Sequence, residues 1–341
     1  MVFPKKISIL LMVAGGWLIS GCDLPLVDPV PEDYELVVPA HFPEPPIPAD
    51  NPLTVNKVAL GKKLFFDPIL SLDSTISCGS CHAPHKAFSD SVFLSRGVEG
   101  RLGLRNAMPL INLVYSTKFF WDGANPSLEE QAIHPIINPL EMASKPEFFI
   151  PKLERHPEYP ALFQEATGGP PTTQAVVDAL ACFERTLLST NSRYDKYVEG
   201  DSTALTPQEL HGLTLFNSEL GECFHCHSGY NFTDGTFQNN GLYENYGDLG
   251  RMEVTGSYWD EGKFKVPTLR NIEFTGPYMH DGSLATLEDV MNHYASGGKN
   301  HRNKNIFINN ITLTEQDKQD LIAFMKALSD ETFIQNPEFK P

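Results

Sequence analysis

Basic residues are scarce in this 341-residue sequence: 26 Lys and Arg stand against 43 Asp and Glu, for a formal charge of −17. A surface that acidic repels phosphate backbones, which argues against a nucleic-acid partner and suits a basic protein surface. Long apolar runs are also missing. After residue 21 no stretch is long and apolar enough to span a membrane. Strand signals are few, so the expected fold class is mainly α. Cysteine is sparse, with only 6 in the chain, and their placement leaves no intrachain disulfide to be expected.

Four of those cysteines stand in two copies of one pattern. Cys78-Gly79-Ser80-Cys81-His82 is a C-x-x-C-H motif, and it returns as Cys223-Phe224-His225-Cys226-His227. The spacing is a chemical requirement: two thiols three positions apart both form thioethers to one porphyrin, and the adjacent His then sits under the iron. Two copies therefore predict two covalently bound c-type hemes, with His82 and His227 as proximal ligands. A zinc site would bring its cysteine pairs within roughly 15–20 residues of each other, and these two pairs lie most of a domain apart. A redox dithiol would need a βαβ setting that neither copy has.

The amino terminus carries an export signal. Residues 1–21 run from Lys5-Lys6 through the apolar stretch Ile7 to Ile19 to Ser20-Gly21. Ile19-Ser20-Gly21-Cys22 resembles a bacterial lipobox, which makes Cys22 the expected lipid anchor, the only expected contact with a membrane, and the cell envelope or periplasm the expected location. Residues 22–48 are rich in Pro and acids and read as a tether. The sixth cysteine, Cys182, falls within a helical pattern over Thr173–Leu188 and reads as an inert core thiol.

Helical periodicity predicts a helix at Thr54–Asp67, apolar on two sides, just before the first motif. Another is predicted at Thr206–Asn217, opened by Thr206-Pro207, just before the second. A last helix spans Thr314–Leu328, with Thr314 and Asp317 at capping-box spacing. Shorter helical patterns over 129–143 and 145–163 are broken by Pro135, Pro139, Pro146 and Pro151. The expected organisation is two cytochrome c-like domains, 49–205 and 206–330, followed by a tail at 331–341.

Beyond the heme motifs, the chain carries Leu64-Phe65-Phe66-Asp67-Pro68, Phe120-Trp121-Asp122-Gly123, Glu130-Gln131-Ala132 and Pro139-Leu140-Glu141-Met142. It also carries Val266-Pro267-Thr268-Leu269-Arg270-Asn271 and Tyr278-Met279-His280-Asp281-Gly282. With these it resembles the bacterial diheme cytochrome c peroxidase family, including its MauG-like branch, from about Leu53 to Ser329. The resemblance implies that peroxide reacts at the amino-terminal heme and that the carboxy-terminal heme receives electrons. It places Trp121 between the hemes as an electron relay, and Gln131 and Glu141 on the distal side of the first. A buried carboxylate there can take a proton from the near peroxide oxygen and give one to the leaving oxygen. The resemblance also implies a calcium ion held by Asn106, Thr275 and Pro277, a chemically sensible hard-oxygen set, and a homodimeric assembly.

Two positions depart from the family pattern. The loop Ser95–Arg105, which in typical members supplies a distal His, contains none, and Val98 stands in the nearest place. That implies a first heme that is five-coordinate or water-bound and ready without reductive activation. At the second heme the usual Met is replaced by Tyr294, the ligand of the MauG-like branch, with His293 and Met279 as rivals. A phenolate ligand stabilises ferric iron. The leading function is reduction of hydrogen peroxide to water with electrons from a small periplasmic donor, a cytochrome c or a cupredoxin. The alternatives are MauG-like oxidation of Trp or Tyr residues on a partner protein, and a diheme electron carrier without peroxide chemistry. Glu141 and Gln131 argue against the carrier, which needs no acid beside an open iron.

Overall fold

In this computed structural model the described residues are Met1 and residues 31–341. The expected signal peptide and lipid-bearing Cys22 lie outside them. Residues 31–341 form one compact unit. Eleven helices carry it: α1 (Val55–Phe66), α2 (Leu128–Ile137), α3 (Pro146–Arg155), α4 (Tyr159–Thr167), α5 (Thr173–Arg185), α6 (Arg193–Val198), α7 (Pro207–Phe216), α8 (Met252–Thr255), α9 (Leu287–Ala295), α10 (Glu315–Lys326) and α11 (Glu331–Gln335). The only sheet among the described residues is a two-residue antiparallel pair, β1 (Phe237–Gln238) with β2 (Phe264–Lys265). The chain is mainly α, and no described helix is long and apolar enough to cross a membrane.

Local chemistry explains where the helices start. The Thr54 hydroxyl accepts from the Lys57 amide and opens α1. Thr206 with Glu209, and Thr314 with Asp317, form reciprocal capping boxes at the starts of α7 and α10. Pro207 occupies the first turn of α7, where its missing N–H costs nothing. The pattern over 145–163 divides into α3 and α4 because Pro157 drives the residue before it, His156, into an extended conformation that ends α3.

The same helix crossing is built twice. α1 passes α5 so closely that a Cβ on Gly61 would lie 1.8 Å from the Ala179 carbonyl oxygen. α7 passes α10 in the same way, with Gly212 facing the Asp320 carbonyl at 2.0 Å. Only glycine fits either crossing. Around the first, Leu64, Phe65, Phe88, Phe149, Phe163 and Phe183 are buried in one core; around the second, Phe216, Phe232, Leu321, Phe324 and Leu328 form another.

Two segments differ from their sequence reading. The expected tether is packed from Pro31 onward: Phe42 is buried, and His41 Nε2 lies 3.1 Å from Asp195 Oδ1. Its anchor is Arg270, which is 1% exposed, grips Asp195 through two 2.8 Å hydrogen bonds and lies over the Phe42 ring. The expected tail at 331–341 returns as α11 and a following 3₁₀ turn at Pro337–Phe339, which insert Phe333 and Phe339 beside Phe88 in the first core. Sparse apolar residues hid both segments, since two or three well-placed rings suffice to dock a short piece of chain.

Candidate active site

Each C-x-x-C-H motif begins with a single 3₁₀ turn after its glycine-crossed helix, at Cys78–Ser80 and Cys223–His225. The adjacent histidines are held alike. His82 Nδ1 lies 2.8 Å from the Phe88 carbonyl oxygen and His227 Nδ1 lies 3.0 Å from that of Phe232. A carbonyl only accepts, so Nδ1 carries the hydrogen and Nε2 keeps its lone pair for a metal. Burial lowers the affinity of both imidazoles for a second proton, which keeps them neutral. The five described cysteines are all free. These are the residues a c-type heme requires, in the tautomer that ligation requires.

Around the second motif lies a cavity with Cys223, Cys226 and His227 on one wall and Tyr294 and Met279 among its other lining residues. Leu269, Val290, Met291, Leu321 and Met325 make it largely apolar, as a porphyrin needs. Tyr294, on α9, is buried enough that its phenol is pushed up to about 12. A phenolate there therefore calls for a strong cation, and ferric iron is one. Of the two rivals, Met279 lines the cavity and its sulfur accepts from Asn240 Nδ2 at 3.2 Å. His293 is turned away to the Asn240 carbonyl, 3.0 Å from its Nε2.

At the first motif the distal candidates come from α2 and the turn after it. Gln131 is half-buried on α2. The turn folds back through Met142 N–H donating to Pro135 O and Ser144 N–H donating to Ile136 O, which aims Glu141 inward. Burial raises the Glu141 carboxyl above the usual carboxylate range, against the opposing hydrogen bond from Asn138 at 2.6 Å. Burial raises the Cys78 and Cys81 thiols, and the Glu141 carboxylate adds a smaller push to both, so it lies within electrostatic reach of the first motif. Val98 is 1% exposed, and its N–H donates to the Glu141 carbonyl at 2.7 Å. Val98 is thus fixed against the backbone of the residue that bears the acid.

Trp121 is buried with Phe264, Tyr246 and Met108 and lines the cavity of the second motif. Its indole donates to the Asn106 carbonyl at 2.9 Å. The loop that carries it is clamped: Arg105 bridges Asp122 to Asp248, and Arg251 Nη1 donates to the Asp122 and Gly123 carbonyls at 2.7 and 2.9 Å. Arg105, Asp248 and Arg251 carry no sequence signal, because Arg105 meets Asp248 and Arg251 meets Asp122 and Gly123 across more than 120 residues with no local spacing to join them. His280 is stacked 3.7 Å from the Phe264 ring in the same wall.

Asn106, Thr275 and Pro277 all line the cavity of the second motif. Asn106 gives its amide hydrogens to the Val92 and Phe93 carbonyls at 3.1 and 3.3 Å, and its oxygen takes no hydrogen bond among the described residues. Such an oxygen is of the kind calcium accepts.

Known proteins share this plan. Residues 55–203 match the family described as di-haem cytochrome c peroxidase. The methylamine utilization protein MauG of Methylorubrum extorquens is 37% identical, over 96% of this chain and 95% of that protein. The cytochrome c551 peroxidase of Nitrosomonas europaea is also 37% identical, over 89% of this chain and 88% of that protein. The crystal structure of a MauG-like protein associated with microbial copper homeostasis superposes with a TM-score of 0.85 at 34% identity, covering 90% of this chain and 99% of that one. The chain belongs to the di-haem cytochrome c peroxidase family.

Proposed function

We propose that this peroxidase-type oxidoreductase carries two covalent hemes, on Cys78, Cys81 and His82 and on Cys223, Cys226 and His227, and reduces hydrogen peroxide to water at the first. The hemes supply the redox chemistry; the chain supplies protons, position and a route for electrons. Two electrons from a small periplasmic donor, such as a cytochrome c or cupredoxin, enter at the second site, and two protons complete the two waters. Glu141, with Gln131 beside it, takes and returns the peroxide proton; its desolvated carboxyl suits both halves of that transfer. Trp121 would relay electrons between the two sites, Tyr294 would ligate the second iron, and Asn106, Thr275 and Pro277 would hold calcium on the cavity wall that Trp121 also lines. We place the protein in the cell envelope or periplasm.

The observation that carries this reading is Glu141, whose carboxyl burial raises above the usual carboxylate range, with Val98 rather than a histidine held against its backbone. The test is oxidation of a reduced small cytochrome c by the heme-loaded protein on addition of peroxide, without prior reduction. Saturable turnover supports the peroxidase. Tyr294 in the second cavity and the MauG relatives favour a second reading, oxidation of Trp or Tyr residues on a partner protein. Negligible turnover, with a peroxide-oxidised protein that persists until a partner is supplied, selects that one.

A further inference from the structure

The second heme motif carries a histidine that neither site uses. His225 occupies a variable position of C-x-x-C-H, and its ring is clamped between aromatic neighbours, 4.0 Å from the Phe224 ring and stacked 3.9 Å from that of Phe307 with planes 2° apart. Clamping fixes where Nε2 points. It points at two carboxylates: Glu222 Oε2 at 2.9 Å and Glu219 Oε2 at 3.7 Å. All three ligand atoms lie within 4.8 Å of one another.

Glu222 makes this more than a surface acidic cluster. Its side chain is 3% exposed, and among the described residues its Oε2 is buried without a hydrogen-bond partner, as is His225 Nε2. The two atoms approach to hydrogen-bond distance without the alignment of a hydrogen bond. Among the described residues the other carboxylate oxygen takes only a 3.4 Å contact from Asn310. A buried carboxylate oxygen left unpaired is costly. A cation shared with the imidazole removes that cost, because metal bonds need each lone pair aimed at a common point and no hydrogen between the ligands. Separations of 2.9 and 3.7 Å are those that ligands on one ion at about 2.1 Å subtend at angles of about 85–125°.

We propose that Glu219, Glu222 and His225 form a binding site for a divalent transition-metal ion of the zinc class. One imidazole with two carboxylates suits a borderline ion, and is distinct from the oxygen-only set of Asn106, Thr275 and Pro277. Exposed Glu219 is the entry side, and the acidic surface draws cations toward it. Nothing in the site depends on peroxide chemistry, so the proposed function and this site stand or fall separately.

The test uses untagged, heme-loaded protein, in which the motif cysteines are consumed as thioethers, stripped with chelator and held in excess calcium to fill oxygen-only sites. Zinc is titrated by calorimetry and counted by metal analysis after dialysis. One zinc per chain is expected, with His225→Gln and Glu219→Gln each weakening it at least tenfold. Glu219 is exposed, so its variant folds and decides the matter if His225→Gln impairs heme loading. Absence of zinc binding at 100-fold excess over protein, or unchanged affinity in Glu219→Gln, overturns the assignment.

Discussion

Glu141→Gln is the most informative single change. The two side chains are nearly isosteric, and the glutamine oxygen can still accept from Asn138, which donates to Glu141 Oε1 at 2.6 Å. The backbone contact with Val98 runs through the Glu141 carbonyl and is untouched. The variant should therefore fold and load heme normally. What it loses is a group that both takes and returns a proton, a contribution of about 10²–10⁴ in rate, or about 3–5 kcal/mol of transition-state free energy. Stopped-flow mixing of the ferric protein with peroxide reads that loss directly, and donor oxidation reads it at steady state. The pH profile adds a sign. Burial raises the Glu141 carboxyl, so the base form is lost as pH falls through a value above the ordinary carboxylate range. Wild type should show an acid limb displaced upward accordingly, and the variant should lack that limb. A variant within threefold of wild type at all pH values, or one with the limb intact, refutes the assignment of Glu141 as the proton carrier.

Tyr294→Phe should change the low-spin spectrum of the second heme and raise its reduction potential, since a phenolate favours ferric iron; an unchanged spectrum points to Met279 instead. Glu184, 5% exposed with one carboxylate oxygen unpaired, is pushed up to about 8 by burial. Its folded-state value lies above the unfolded one, so its stability contribution is complete below about 4.5 and declines as pH rises toward about 8. Glu184→Gln should remove that decline, gaining on wild type between pH 5 and 9 by on the order of a few kcal/mol in urea melts; parallel curves would count against it. Arg270→Met should cost about 3–5 kcal/mol by leaving Asp195 buried without its partner. Adding Asp195→Asn should recover part of that loss in the same thermal melts.

Legibility followed the range of the interactions. α1 and α7 are legible to within a residue of each end and α10 to within two, and their starts are fixed because Thr54, Thr206 and Thr314 cap them through neighbours three positions away. The heme motifs were equally local. Glu141, Trp121 and Tyr294 stood out only through family resemblance, since nothing in their immediate neighbours distinguishes a catalytic carboxylate from a surface one. Contacts closed by the fold gave no signal at all. Arg105 meets Asp248 across 143 positions, and His41 meets Asp195 across 154. For the same reason α9 was not anticipated, although Tyr294 within it was named.

The duplicated architecture explains how one chain keeps two unlike sites. Both halves have a glycine-crossed helix pair, a C-x-x-C-H turn and a histidine donating to a backbone carbonyl five or six residues on. Both also have a left-handed Asn ahead of a 3₁₀ turn, Asn112 and Asn271, and then a tight loop closed by Gly123 or Gly282. Aligning those loops puts Trp121 opposite His280, with Phe264 touching both groups. Function then depends on what departs from the repeat. The first half sets an apolar Val98 against the backbone of a desolvated Glu141, the pair to which the proposed function assigns proton transfer beside an open iron. The second sets Tyr294 in the cavity wall, a side chain that needs a cation to lose its proton. Exchanging these features should exchange the roles: a histidine at position 98 should close the first site to peroxide until reduction, while the helix crossings, being made elsewhere, should remain intact.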